Sequence, residues 1–155
     1  MTRRPAQAER FVAGFADSCL YFGPFGAASR VKLVNNLLVA INIAATAEAM
    51  ALGLKAGVDV DLMIKAIATG SGGSTQFGIR APWMAQRRFL PAQGTVPALQ
   101  HYFDMIGEFA DSVGVATPML DRAVELYDKF MDMGFGEKDV AATVDVISAL
   151  PRAKA

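Results

Sequence analysis

Lys32 and Asn36 stand four residues apart in the run Arg30-Val31-Lys32-Leu33-Val34-Asn35-Asn36. On a helix, that spacing places both side chains on one face. A lysine enclosed by apolar helices has its charged form disfavoured, and an amine in that state can take or give a proton. An asparagine beside it offers amide donors to a carboxylate or hydroxyl without adding a second titrating charge. The pair therefore suits a small hydroxyacid, with Lys32 as the catalytic proton carrier and Asn36 as the substrate-binding group. The same two residues taken alone are more often a solvated stripe. Asn35 points elsewhere on the helix and reads as a structural hydrogen-bonder. Glu48 lies in a strongly apolar stretch and reads as a buried, satisfied acid rather than a catalytic one.

Other chemistries are excluded by count. His101 is the only histidine and Cys19 the only cysteine, so no metal site of the usual zinc type and no internal disulfide can form. A single cysteine fits a reducing, cytoplasmic setting. Fifteen basic residues balance fifteen acidic ones, so no global positive field gathers nucleic acid. Ser71-Gly72-Gly73-Ser74 has neither GxGxxG nor GxxxxGK[ST] around it and reads as a flexible connector, not a phosphate loop. The methionines at 84, 105, 119, 131 and 133 read as core filling or a partner surface.

The elements that must position these residues are helical. With 53% hydrophobic and 19% charged residues, the 155-residue chain is expected to be compact. Between Gly26 and Gly53 there is no proline and no internal glycine, which predicts one long helix, apolar around most of its circumference. Its apolar run from Leu37 to Leu54 is interrupted by Asn42 and Glu48, so a core helix is expected rather than a membrane span. Asp59 is an N-cap candidate for a helix through Ile67. Pro82-Trp83-Met84 is expected to open a short helix, and Phe89 to Gly94 a loop. Thr95 begins a helix running to Gly114, Thr117-Pro118 opens the next, and Glu137 to Ile147 makes the last. Pro5 to Ser18 reads as a short helix, followed by the strand-like run Cys19-Leu20-Tyr21-Phe22. The expected fold is all-α, six to seven helices around a long central one, with a short N-terminal strand remnant.

One segment carries a resemblance. Gly23-Pro24-Phe25-Gly26, followed by Lys32, Asn35 and Asn36, resembles the join between the two domains of the β-hydroxyacid dehydrogenases, the group of 3-hydroxyisobutyrate dehydrogenase and tartronate semialdehyde reductase. There a GPxG turn leads into a long helix bearing a KxxNN signature. The match continues in order through Thr46-Ala47-Glu48-Ala49, Lys55-Ala56-Gly57-Val58-Asp59, Pro82-Trp83-Met84, Phe89-Leu90-Pro91, Gly114-Val115-Ala116-Thr117-Pro118 and Gly136-Glu137-Lys138-Asp139. It implies a helical domain like the C-terminal domain of 6-phosphogluconate dehydrogenase-type enzymes. Residues 1–24 would then be the end of a nucleotide-binding domain, 25–150 the helical substrate and dimerisation domain, and 151–155 a tail.

The resemblance also implies NAD or NADP as cofactor, Lys32 and Asn36 in the roles given above, a homodimer, and a separate Rossmann domain as partner. No dinucleotide fingerprint lies among the fourteen glycines, so the chain alone is expected to be inactive. The sequence departs from the family where a second lysine followed by aspartate is usual: His101 and Tyr102 stand there. His101 is either a cofactor-side donor or proton carrier, or a histidine on a helix surface. A non-catalytic helical dimerisation or carboxylate-binding module is the alternative function. Neither a membrane nor nucleic acid is an expected partner.

Overall fold

A computed structural model of the chain describes residues 20–151. Among these residues there are six α-helices, one 3-10 turn and no strand. The helices are α1 (Ala27–Lys55), α2 (Val60–Thr69), α3 (Thr75–Gln86), α4 (Val96–Val113), α5 (Pro118–Asp132) and α6 (Thr143–Ala149), with the 3-10 turn Val140–Ala142 directly before α6. The expected all-helical bundle around a long helix is what forms. The N-terminal helix expected over 5–18, and Cys19, lie outside the described residues. Leu20, Tyr21 and Phe22 form no strand and are exposed, which corrects the strand expected there. A lone strand has no neighbour to satisfy its backbone groups.

α1 begins where the sequence allows the chain to turn. Gly26 takes a left-handed φ of 88°, and the Ala27 amide donates to the Pro24 carbonyl at 3.0 Å, closing the GPxG turn. The helix then runs for 29 residues, about 44 Å. By length and composition it could cross a membrane. Instead α3, α4, α5 and α6 pack around it and bury Ala40, Ile43, Ala47 and Met50 almost completely. These four follow one another at helical spacing and form one face, the seam of the bundle. Glu48 lies on the opposite side and is exposed, not buried as its apolar neighbours suggested. A helix this apolar gives no local sign of which side is covered.

The remaining helices start at side-chain caps or turns. Asp59 Oδ1 accepts from the Leu62 amide at 2.9 Å, as expected of an N-cap, and Ser74 Oγ accepts from the Phe77 amide at 3.0 Å. The second cap corrects a boundary, because α3 starts at Thr75 and carries Pro82 in its interior. An interior proline costs about 3 kcal/mol, in part by withholding a donor from the carbonyl four residues back. Here that residue is Gly78, which is exposed to water and has no side chain. Burying Phe77 and Met84 on the same helix contributes roughly 1.5–3 kcal/mol each, enough to carry the helix through. Thr95 and Thr117 occupy the expected cap positions of α4 and α5, but neither side chain makes a capping bond. Gly114, at φ 71°, ends α4 as expected.

The connector before α3 is tighter than its composition suggests. A Cβ on Gly73 would lie 2.7 Å from the Ile67 carbonyl oxygen and 3.0 Å from that of Ala68. Glycine is needed there because the chain passes directly against the last turn of α2.

The last helix also begins later than periodicity predicted, at Thr143 after the 3-10 turn. Asp139 is the reason. Its carboxylate is fully buried and accepts from the Ala141 amide at 2.9 Å, so it acts as a cap outside the helix. It also accepts from Arg80 Nη1 on both oxygens, at 2.9 and 2.8 Å, and from the Gln93 and Gly94 amides at 2.9 and 3.1 Å. One carboxylate thus ties α3, the loop before α4 and the start of α6 together.

Candidate functional site

Lys32 and Asn36 continue the buried stripe of α1 towards its N-terminus. Asn36 is four residues before Ala40, and Lys32 four before Asn36, so both share the helix face of Ile43, Ala47 and Met50. Yet Lys32 is exposed and Asn36 only half-buried. Among the described residues, the covering helices leave this end of the seam open. The enclosure by apolar helices that a desolvated lysine requires is therefore not supplied by these residues, which corrects the expectation of a walled pocket. The residue type is informative all the same. A lysine placed only for solvation belongs on the outward face, where Glu48 lies, not at the mouth of the core seam.

Two neighbours define the local geometry. Asn35 Nδ2 donates to Asn36 Oδ1 across a long 3.5 Å, so Asn35 is not independent of the site as its position suggested. Accepting with Oδ1 leaves Asn36 Nδ2 to donate elsewhere. From α4, the Tyr102 ring comes within 5.3 Å of Lys32 Nζ, measured to the ring centroid. His101 is exposed and meets the same ring edge-on, with centroids 5.8 Å apart and planes at 61°. The structure thus brings Lys32, Asn36, Tyr102 and His101 to one end of α1 and α4. Tyr102 was not singled out for chemistry by sequence reasoning, since only its place beside His101 drew notice.

The large open groove lies elsewhere. About 830 Å³ of space, lined by Glu48, Leu52, Lys55, Arg122, Glu125 and Lys129 among others, opens at the far end of α1. Lys55 is about 35 Å along the helix from Lys32. None of the candidate residues lines that groove. At the Lys32 end of α1, on the other side of the helix, Val31, Val34 and Leu38 are exposed, as is Phe25 in the turn before it, an apolar surface directed away from Lys32 and Asn36.

Comparison with known proteins matches this architecture. Residues 26–147, from the GPxG turn to α6, match the family model described as NAD-binding of NADP-dependent 3-hydroxyisobutyrate dehydrogenase. The chain belongs to this family. L-threonate dehydrogenase of Cupriavidus necator is 31% identical to it over 155 residues, covering 97% of this chain and 52% of the relative. A 3-hydroxyisobutyrate dehydrogenase of Salmonella typhimurium superposes with a TM-score of 0.73 at 26% identity, over 78% of this chain and 42% of that one. The Mycobacterium tuberculosis 3-hydroxyisobutyrate dehydrogenase structure with L-serine has the same fold, with a TM-score of 0.78 at 20% identity, over 94% of this chain and 53% of that one. The chain spans about half the length of these relatives.

Family membership places Lys32 and Asn36 in the matched segment, together with Tyr102 and His101. Of the methionines, Met84 is in the core and Met131 half-buried, whereas Met105, Met119 and Met133 are exposed. Core filling, one of the two uses expected of them, holds for Met84.

Proposed function

We propose that this chain is the helical, substrate-side part of an NAD(P)-dependent hydroxyacid dehydrogenase. Lys32 moves the hydroxyl proton and Asn36 holds the substrate. The observation that carries this reading is the position of both side chains on the core face of α1, at the end the other described helices leave open. A site at the rim of a bundle is completed by whatever covers the rim. Exposed Val31, Val34 and Leu38, on the other side of this end of α1, offer apolar surface to a cover that wraps around the helix end. That cover is a nucleotide-binding half, and a second copy of the chain would extend the assembly to a homodimer.

The residues at this rim fit one side of a nicotinamide. They present an ammonium, an amide and an imidazole on an open face, with no glycine-rich cradle for a pyrophosphate. When bound, the nicotinamide would exchange the hydride. Lys32 would hold the proton at Nζ, Asn36 Nδ2 would donate to the substrate carboxylate or hydroxyl, and His101 would stand on the cofactor side. The L-threonate dehydrogenase and L-serine names of the relatives favour a small hydroxyl-bearing carboxylate as substrate. The setting would be the cytoplasm.

A second reading rests on a specific observation. His101 and Tyr102 replace the usual lysine and aspartate, and His101 faces solvent, which favours a carboxylate-binding or dimerisation module without hydride transfer.

The test combines the purified chain with the nucleotide-binding half of the L-threonate dehydrogenase relative. NADPH and NADH fluorescence and L-threonate oxidation are then followed. The dehydrogenase reading expects turnover only with both parts present, and a fall of roughly 10²–10⁴ in kcat for Lys32→Ala. Absence of turnover, with L-threonate binding retained, would leave the carboxylate-binding module.

A further inference from the structure

The Tyr102 ring lies across the open end of α1, and its placement relative to Lys32 is set by the fold. Tyr102 is half-buried and packs against the core. Its neighbour Phe103 is buried and stacks on Tyr127, with centroids 5.5 Å apart and planes 13° from parallel. Tyr127 in turn donates its hydroxyl to the Ala40 carbonyl at 2.7 Å, one turn of α1 beyond Asn36. α4 is therefore registered against α1 close to the site, through one ring stack and one buried hydrogen bond. On that frame the Tyr102 ring and the Lys32 ammonium come within 5.3 Å, inside the range in which a ring face attracts a cation.

We propose that Tyr102 is a positioning residue: its ring holds the Lys32 ammonium beside Asn36, so that one small hydroxycarboxylate can engage both side chains. The physical problem it solves is the freedom of the lysine. Four methylenes carry the charge, and an exposed lysine samples many rotamers. An ammonium scattered over them meets a ligand only part of the time, and apparent affinity falls with that fraction. An aromatic face biases the population without adding a negative charge, so the ammonium is not consumed by an ion pair and can receive a carboxylate. An aspartate or glutamate in that position would compete with the ligand instead. His101 also meets the Tyr102 ring, edge-on at 5.8 Å between centroids. The attraction at an exposed site corresponds to a bias of roughly two- to fivefold.

This inference rests on the reading of Lys32 and Asn36 as a ligand site, and the experiment separates the two. The chain is prepared with ¹³C-labelled lysine, and the Lys32 Hε–Cε signal is assigned from Lys32→Arg. Expected is a Lys32 signal displaced upfield by the ring, unchanged in Tyr102→Phe and shifted back by more than half the displacement in Tyr102→Leu. Titration with L-threonate should then give a Kd raised roughly two- to fivefold in Tyr102→Leu and restored in Tyr102→Phe. A purely structural role for Tyr102 would leave the L-threonate Kd unchanged in Tyr102→Leu, where the apolar bulk is kept and the ring is lost. That result also overturns the proposal. A Lys32 signal identical in the native chain and Tyr102→Leu overturns the proposal. A ring-displaced signal that does not respond to L-threonate keeps the lysine on the ring but overturns the hydroxycarboxylate site.

Discussion

Replacing Asp139 with alanine tests the argument that one buried carboxylate sets the geometry of the second half of the bundle. In the native chain it accepts from Arg80 Nη1 and from the backbone amides of Gln93, Gly94 and Ala141. Asp139 is fully buried and the Arg80 side chain 12% exposed, so little solvent screens the pair. Arg80 Nε is already buried without a partner, which leaves the guanidinium dependent on Asp139. Asp139→Ala strands that charge together with the amides, and breaking one side of a buried pair costs about 3–5 kcal/mol. Against a total stability of roughly 5–15 kcal/mol this is a large fraction. For a chain of this size it lowers Tm by about 6–20 °C. Urea unfolding supplies the free energy, with the m-value checking that both proteins unfold to the same extent. Arg80→Met combined with Asp139→Ala should cost clearly less than the two single changes summed, because no buried charge is then left unpaired. A loss below about 1 kcal/mol in Asp139→Ala, or strict additivity in the double variant, would refute the reasoning.

Two further outcomes follow from single side chains. Burial pushes the Tyr127 phenol above its ordinary range, so the folded state resists its ionisation. With the folded value raised, the stabilisation is complete below the unfolded value of about 10 and is lost as pH rises above it, approaching about 1.4 kcal/mol per pH unit. Tyr127→Phe should flatten that alkaline decline while lowering stability at neutral pH by about 0.5–1.5 kcal/mol, read from paired denaturation curves. An unchanged alkaline slope in the variant would show that other groups cause it. Gly73→Ala should destabilise by more than about 1 kcal/mol, because its methyl meets the fixed carbonyls of Ile67 and Ala68. Gly72→Ala, whose Cβ would meet only the Ile67 side chain at 3.8 Å, is the control expected to be near neutral.

What could be read from the residues alone was local. A glycine- and proline-free stretch defined α1, and the Gly23-Pro24-Phe25-Gly26 turn defined its start. Asp59 and Gly114 marked helix ends through short-range chemistry that depends on a few neighbouring residues. The four-residue spacing of Lys32 and Asn36 was legible for the same reason, since helical periodicity follows from backbone geometry. Tertiary packing decided the rest. Pro82 sits inside a helix because Phe77, Ala81 and Met84 on that helix are buried against distant parts of the chain. The last helix is delayed because Asp139 faces Arg80, 59 residues away. Glu48 is exposed and Lys32 stands at an open rim because other helices cover only part of an α1 that is apolar nearly all round. The approach of Tyr102 to Lys32 depends on how α4 lies against α1. Periodicity sets where a side chain points on its own helix; what it meets there depends on the surfaces of the others, and those are defined only once the bundle is assembled.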